Sequence, residues 1–123
     1  MKIGSGGIRI SNKNTRVEEA FKFASNGYVD ILVDTSINIS HWGKTIRMWN
    51  TTTLHLLDTM PVGFWCIVRN NDGDTKTIND FGSRPFVGVG NLLESINTSA
   101  ILEVNTDNAD GIGEHWYAEG VLT

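Results

Sequence analysis

From residue 28 onward, hydrophobic positions fall in short clusters separated by Asn, Asp, Gly and Thr, the rhythm of strands joined by turns. These clusters predict strands over 28–33, 36–40, 44–49, 53–57, 62–69, 75–78, 86–89, 99–104 and 115–121. Ile37 and Ile39 alternate with polar neighbours, as do Ile46 and Met48, so these strands should bury one face and wet the other. The run Phe64-Trp65-Cys66-Ile67-Val68 is apolar on both faces, which predicts a central strand. After it, Asn70-Asn71-Asp72-Gly73 carries an Asp-Gly turn signal and predicts a hairpin returning through 75–78. Nine short strands at this spacing imply a mainly all-β fold, an antiparallel β-sandwich or jelly roll.

The first 27 residues read differently. Gly4, Gly6 and Gly7 lie among Ile3, Ile8 and Ile10, which predicts an extended arm, since glycine weakens an isolated strand. Thr15 and Glu18 have capping-box spacing, Val17, Ala20, Phe21 and Ala24 follow at helical spacing, and Gly27 supplies a stop. A short N-terminal helix is therefore expected, with a strand through Val17, Phe21 and Phe23 as its rival. The chain divides into an N-terminal arm with this helix over 1–27 and a β-sandwich domain over 28–123.

Composition narrows the function classes. A chain of 123 residues makes one domain with enough core to need neither disulfide nor metal. Its 14 acidic and 10 basic side chains leave a net charge of −4 with no Lys/Arg cluster, which argues against nucleic-acid binding. The longest apolar stretch, 62–68, falls far short of the roughly 18 residues that span a bilayer, and MKIGSGGIRIS carries no apolar signal core. The single cysteine, Cys66, sits in GFWCIV, where a thiol behaves as a small hydrophobe rather than a nucleophile.

Motifs that would carry chemistry are incomplete. Gly43-Lys44-Thr45 ends like a phosphate-binding loop, but Asn38 stands where the first glycine is needed and a strand follows instead of a helix. Asp80-Phe81-Gly82 matches a kinase metal-holding segment in a chain too short to be a kinase. His41, His55 and His115 have no zinc-ligand spacing. Asn71-Asp72-Gly73-Asp74 and Asp107-Asn108-Ala109-Asp110-Gly111 resemble pieces of calcium loops but lack the closing glutamate, so they read as turns, with Ca²⁺ as the alternative. Glu114 and Glu119 have opposite strand parity and cannot jointly flank a glycosidic bond. Local motifs thus complete no catalytic site, with a triad assembled in space left open, and no cofactor and no metal site are expected.

Aromatic residues remain as contact candidates. Trp65 belongs to the central strand. Trp49 shares parity with Thr45 and Arg47, opposite to Ile46 and Met48, which places it on an outer face or at an interface. Trp42 at the turn before Gly43, and Trp116 with Tyr117 near the end, offer large contact area at low entropic cost. With Ile3, Ile8 and Ile10 of the arm, Trp42, Trp49, Trp116 and Tyr117 form the expected partner-contact set. A protein surface is the preferred partner and a glycan the alternative.

The order of segments across 28–123 resembles a β-module of tailed-bacteriophage virion proteins, found in fibres and capsid-associated proteins. A short strand leads through Gly43-Lys44 into the strand ending at Asn50; a leucine-rich strand over 53–57 follows. A Pro-Val-Gly-Phe turn at 61–64 then opens the central strand, with an Asn-containing turn and a Thr-Ile return. The close is a strand over 100–104 and a last strand containing Trp116, Gly120 and Leu122. Residues 1–27 have no counterpart in that module, and 80–97 is longer and richer in glycine than its hairpin. The resemblance implies a structural, non-enzymatic virion protein assembling as a dimer or trimer. Chain length favours a capsid decoration or cement protein, with the major capsid protein and its own copies as partners and the arm lying along a neighbour. A tail-fibre or receptor-binding module, with a host glycan on Trp42, Trp116 and Tyr117, is the alternative.

Overall fold

The computed structural model describes residues 26–80, 82–107 and 113–123. The expected N-terminal helix and the arm isoleucines Ile3, Ile8 and Ile10 lie outside them. Among the described residues ten strands run in chain order: β1 (Tyr28–Ile31), β2 (Thr35–Ser36), β3 (Thr45–Met48), β4 (Thr53–Leu56), β5 (Trp65–Asn70), β6 (Lys76–Asp80), β7 (Phe86–Val87), β8 (Leu92–Leu93), β9 (Ser99–Asp107) and β10 (Gly113–Gly120). They form an all-β sandwich of a six-stranded sheet, β1-β3-β5-β9-β10-β7, and a four-stranded sheet, β2-β4-β6-β8.

Strand direction differs from the antiparallel expectation. Among the described residues five pairings are parallel, β1/β3, β3/β5, β2/β4, β4/β6 and β10/β7. Only β5/β9, β9/β10 and β6/β8 are antiparallel. From β1 to β6, successive strands alternate between the sheets, and each of β1 to β4 pairs in parallel with the strand two further on. The intervening strand is the crossover that parallel pairing needs. Residues 28–80 therefore wind as three stacked coils, β1/β2, β3/β4 and β5/β6, closed on one sheet by the β9/β10 hairpin. This solenoid-like connectivity replaces the jelly roll.

The predicted hairpin after Asn70 does not form for the same reason. Both edges of β5 are taken, by β3 and β9, so β6 has no ladder beside it and joins the other sheet. Asn70, fully buried, fixes the crossing: its Nδ2 donates to the carbonyls of Asp74 (2.8 Å) and Leu93 (2.9 Å), and its Oδ1 accepts from the backbone N–H of Asp72 (3.2 Å) and Gly73 (2.9 Å). Lys76 at the start of β6 is also fully buried, and its ammonium is held by Asp72 Oδ1 and the Asp74 carbonyl.

The predicted strand over 36–40 shortens to β2 followed by a 3₁₀ turn over Ile39–His41. Asn38 caps that turn, accepting from Ser40 N–H, while its own N–H donates to His41 Nδ1 at 3.1 Å. A side chain that satisfies turn amides locally competes with a ladder. Strand β8, two residues inside the glycine-rich segment, was not expected.

The inward columns make the core. Val29, Ile46 and Val68 stack in register, as do Ile31, Met48 and Asn70, and Leu54 stacks beside Ile78 in the four-stranded sheet. Phe64 and Trp116, both fully buried, meet edge to face at 5.7 Å between centroids and fill the end of the sandwich beneath the hairpin. Trp116 Nε1 is satisfied by the Leu57 carbonyl at 3.3 Å. Buried Cys66 adds to this packing, and burial pushes its thiol far above its ordinary pKa.

Candidate functional site

Parallel stacking does to the outward residues what it does to the inward ones: it aligns them in rows across neighbouring strands. On the outer face of the six-stranded sheet, one row runs Asp30, Arg47, Arg69, Ser99 over β1, β3, β5 and β9. Asp30 takes Arg47 as a fork, Nε to Oδ1 at 2.7 Å and Nη2 to Oδ2 at 2.8 Å, and Oδ1 also accepts Trp49 Nε1 at 2.9 Å. The Arg47 guanidinium lies 4.6 Å over the ring of Tyr28. Hydrogen bonds from Arg47 and then Trp49 hold the Asp30 carboxyl below its usual range, so Asp30 stays ionised.

The next arginine in the row is paired differently. Arg69 Nη2 donates to the neutral Asn97 amide oxygen at 2.9 Å, and its buried Nε has no hydrogen-bond partner. Asn97 sits at a left-handed turn (φ 67°), bonding its N–H to the Asn70 carbonyl, so the amide is held in place. Among the described residues the ion pairs are Arg47–Asp30, Lys76–Asp72 and Arg84–Glu114.

The candidates from sequence are dispersed by the fold. Trp49 belongs to this outer-face cluster. Trp42, 40% exposed, follows the 3₁₀ turn and packs on Phe64 at 5.6 Å, as the outer member of an aromatic column reaching Trp116. Trp116 points inward with no exposed surface, so it presents no ring to a partner. Tyr117, half-buried, faces outward on β10 opposite Glu103 and Val87. A platform of Trp42, Trp116 and Tyr117 is therefore not assembled. Residues that sequence reasoning did not single out, Tyr28, Asp30, Arg69 and Asn97, complete the cluster around Trp49. Strand parity was the available signal: Tyr28 and Asp30 alternate with Val29 and Ile31 as Arg47 alternates with Ile46 and Met48.

Several other polar groups cap turns and tie loops. His41 accepts from Asn38 N–H, and burial, with the Lys44 charge beside it, lowers its pKa and favours the neutral ring. Asp58 ties the loop at 83–84 by accepting from Ser83 N–H, Ser83 Oγ and Arg84 N–H. Arg84 braces Met60 and Glu114. Gly43, at φ 75°, makes a tight turn donating to the Trp65 carbonyl rather than a phosphate cradle. Among the described residues no three His, Cys, Asp or Glu side chains are grouped to hold a metal ion, and no helix is long and apolar enough to cross a membrane. No protein-family model and no curated protein matches the chain.

Proposed function

We propose that this chain is a non-enzymatic structural and binding module of a virion, of the tail-fibre or receptor-binding type. The observation that carries the reading is the coil connectivity: three parallel coils stack along one axis, and among the described residues β1 and β2 are the edge strands of the two sheets. Such a unit extends a shaft by adding coils, because each coil buries its face against its neighbour. At the other end the sheets finish in the two-residue strands β7 and β8, which offer little edge to a further coil. The resemblance over 28–123 to a β-module of phage fibres and capsid-associated proteins supports a virion role without choosing between tail and head, and copies of the chain itself are the expected structural partners.

The capsid-decoration reading, with the major capsid protein as partner, makes the opposite prediction for copy number. Quantitative mass spectrometry of purified particles, with immunogold labelling against the chain, separates the two. A handful of copies at the tail supports the proposal. Hundreds of copies over the head, or absence from particles, overturns it.

A further inference from the structure

We propose that the outer-face cluster Tyr28, Asp30, Arg47, Trp49 and Arg69 is a binding site for a carboxylate-bearing saccharide of the uronate type, with Arg69 receiving the carboxylate. This holds wherever on a particle the module sits.

The argument begins with the uneven charge of the row. Arg47 and Arg69 are register partners on adjacent parallel strands, about 4.8 Å apart along the ladder direction. Like charges directly opposite one another destabilise a sheet. Asp30 neutralises Arg47 with both oxygens, but among the described residues Arg69 is paired only with a neutral amide. Its Nε is also shut off from water without a partner, so part of the guanidinium has lost hydration and gained nothing. The nearest carboxylate along this outer face of β9, Glu103, is paired in register with Trp65, four residues along β5 from Arg69, and accepts from Asn105. A ligand carboxylate would supply the missing counter-charge, and its planar oxygens match the guanidinium fork.

The rest of the cluster suits a sugar ring. A carboxylate offers about four lone-pair positions, of which Arg47 and Trp49 occupy three on Asp30, leaving one to accept a hydroxyl. The indole N–H bond to Asp30 fixes the half-buried Trp49 ring, and Tyr28 is 64% exposed beside it. Rigid aromatic surfaces next to a few placed polar groups are the usual makeup of a small-ligand site. One unpaired cation fits one carboxylate. A phosphate would call for several convergent donors, and the other cation in the row is already neutralised.

The test uses the full chain and isothermal titration against polygalacturonate, with fully methyl-esterified pectin as the neutral counterpart and inorganic phosphate as competitor. Binding of the acid polymer at least tenfold tighter than the ester is expected, weakening as salt rises. Arg69→Gln and Trp49→Ala should each reduce it tenfold or more with circular dichroism and thermal midpoint close to the parent. Arg69→Lys, which keeps the charge but loses the fork, should fall between parent and Arg69→Gln. Lys44→Gln, away from the cluster, should bind as the parent does. Equal binding of acid and ester, unchanged binding by Arg69→Gln, displacement by phosphate at equal concentration, or no binding of polygalacturonate would each overturn the assignment.

Discussion

Replacing Asn70 by Ala should be among the most damaging single substitutions, because this one amide ties the two sheets together where the chain crosses between them. It makes four hydrogen bonds from a fully buried position: two to backbone N–H groups of the turn, one to the Asp74 carbonyl and one to Leu93 in β8. A typical bond contributes about 1 kcal/mol net, whereas a buried group left without a partner costs about 1–3 kcal/mol. The Asp72 and Gly73 amides sit in a turn that can rehydrate, and the Asp74 carbonyl keeps Lys76. The Leu93 bond is buried, so its carbonyl has no ready substitute. The sum is about 3–5 kcal/mol, a large part of the 5–15 kcal/mol that holds a typical domain. Urea unfolding with linear extrapolation measures it, with the slope expected to stay constant. Asn70→Asp isolates the donors: it keeps both acceptor bonds but turns a carboxylate toward two carbonyls. It should be at least as destabilised at pH 7 and recover partly once acid protonates it. A loss under 1 kcal/mol for Asn70→Ala, or an Asn70→Asp deficit that does not shrink in acid, would refute the assigned role.

Stability should fall with pH in two windows. His41 has a folded-state pKa below its ordinary 6.5, so the unfolded chain binds the extra proton first and the thermal midpoint should drop as pH falls below about 6.5; His41→Asn should flatten that part of the curve. Asp72 is held below its ordinary pKa by the Lys76 ammonium and then by the Asn50 N–H, so its contribution is complete above about pH 4 and disappears as pH falls through the lower folded value; Asp72→Asn should remove part of that second slope in the same melts. Cys66, buried with its thiol pKa raised, should react with a thiol reagent such as DTNB at pH 8 only in denaturant, and rapid labelling of the native protein would contradict the packing. Thr52, 3% exposed, has a buried hydroxyl without a partner, so Thr52→Val should be neutral or stabilising by about 0.5–1 kcal/mol in urea unfolding, and a loss above 1 kcal/mol would reveal a partner for that oxygen.

Among the ten strands of the described residues, eight were legible because a half-buried strand needs alternation and a central one needs a continuous apolar run; the strand expected over 36–40 meets β2 only at Ser36, since Ile37 and Ile39, whose alternation suggested it, lie outside the ladder and Ile39 is exposed. Both signals depend only on which face a residue occupies. Strand β8 gave neither, since two leucines between Asn91 and Glu94 are too short to show a period. Strand direction was illegible for a related reason. Alternation is the same in parallel and antiparallel ladders, and Asn70-Asn71-Asp72-Gly73 has the composition of a hairpin turn although it carries the chain across the sandwich. What decides is whether β5 has a free edge, and that depends on β3 and β9, more than twenty residues away on either side.

Direction in turn decides the candidate site. In an antiparallel hairpin the outward residues of 28–31 would face those of the next strand in sequence, over 35–36, and Asp30 would never meet Arg47. Parallel stacking with one crossover strand brings position 30 beside 47 and 47 beside 69, so a carboxylate, a paired guanidinium and a guanidinium without counter-charge form one row. Parity alone could place each of them on an outer face, and it did so for Trp49 and Arg47. It could not bring them together. The aromatic platform inferred from local sequence failed on the complementary point, since Trp116 and Tyr117 are neighbours in sequence and therefore lie on opposite faces of β10, one filling the core and the other facing out. Adjacent aromatics in a strand cannot share a surface; aromatics on stacked coils can, and the register of the coils is the information a single sequence withholds.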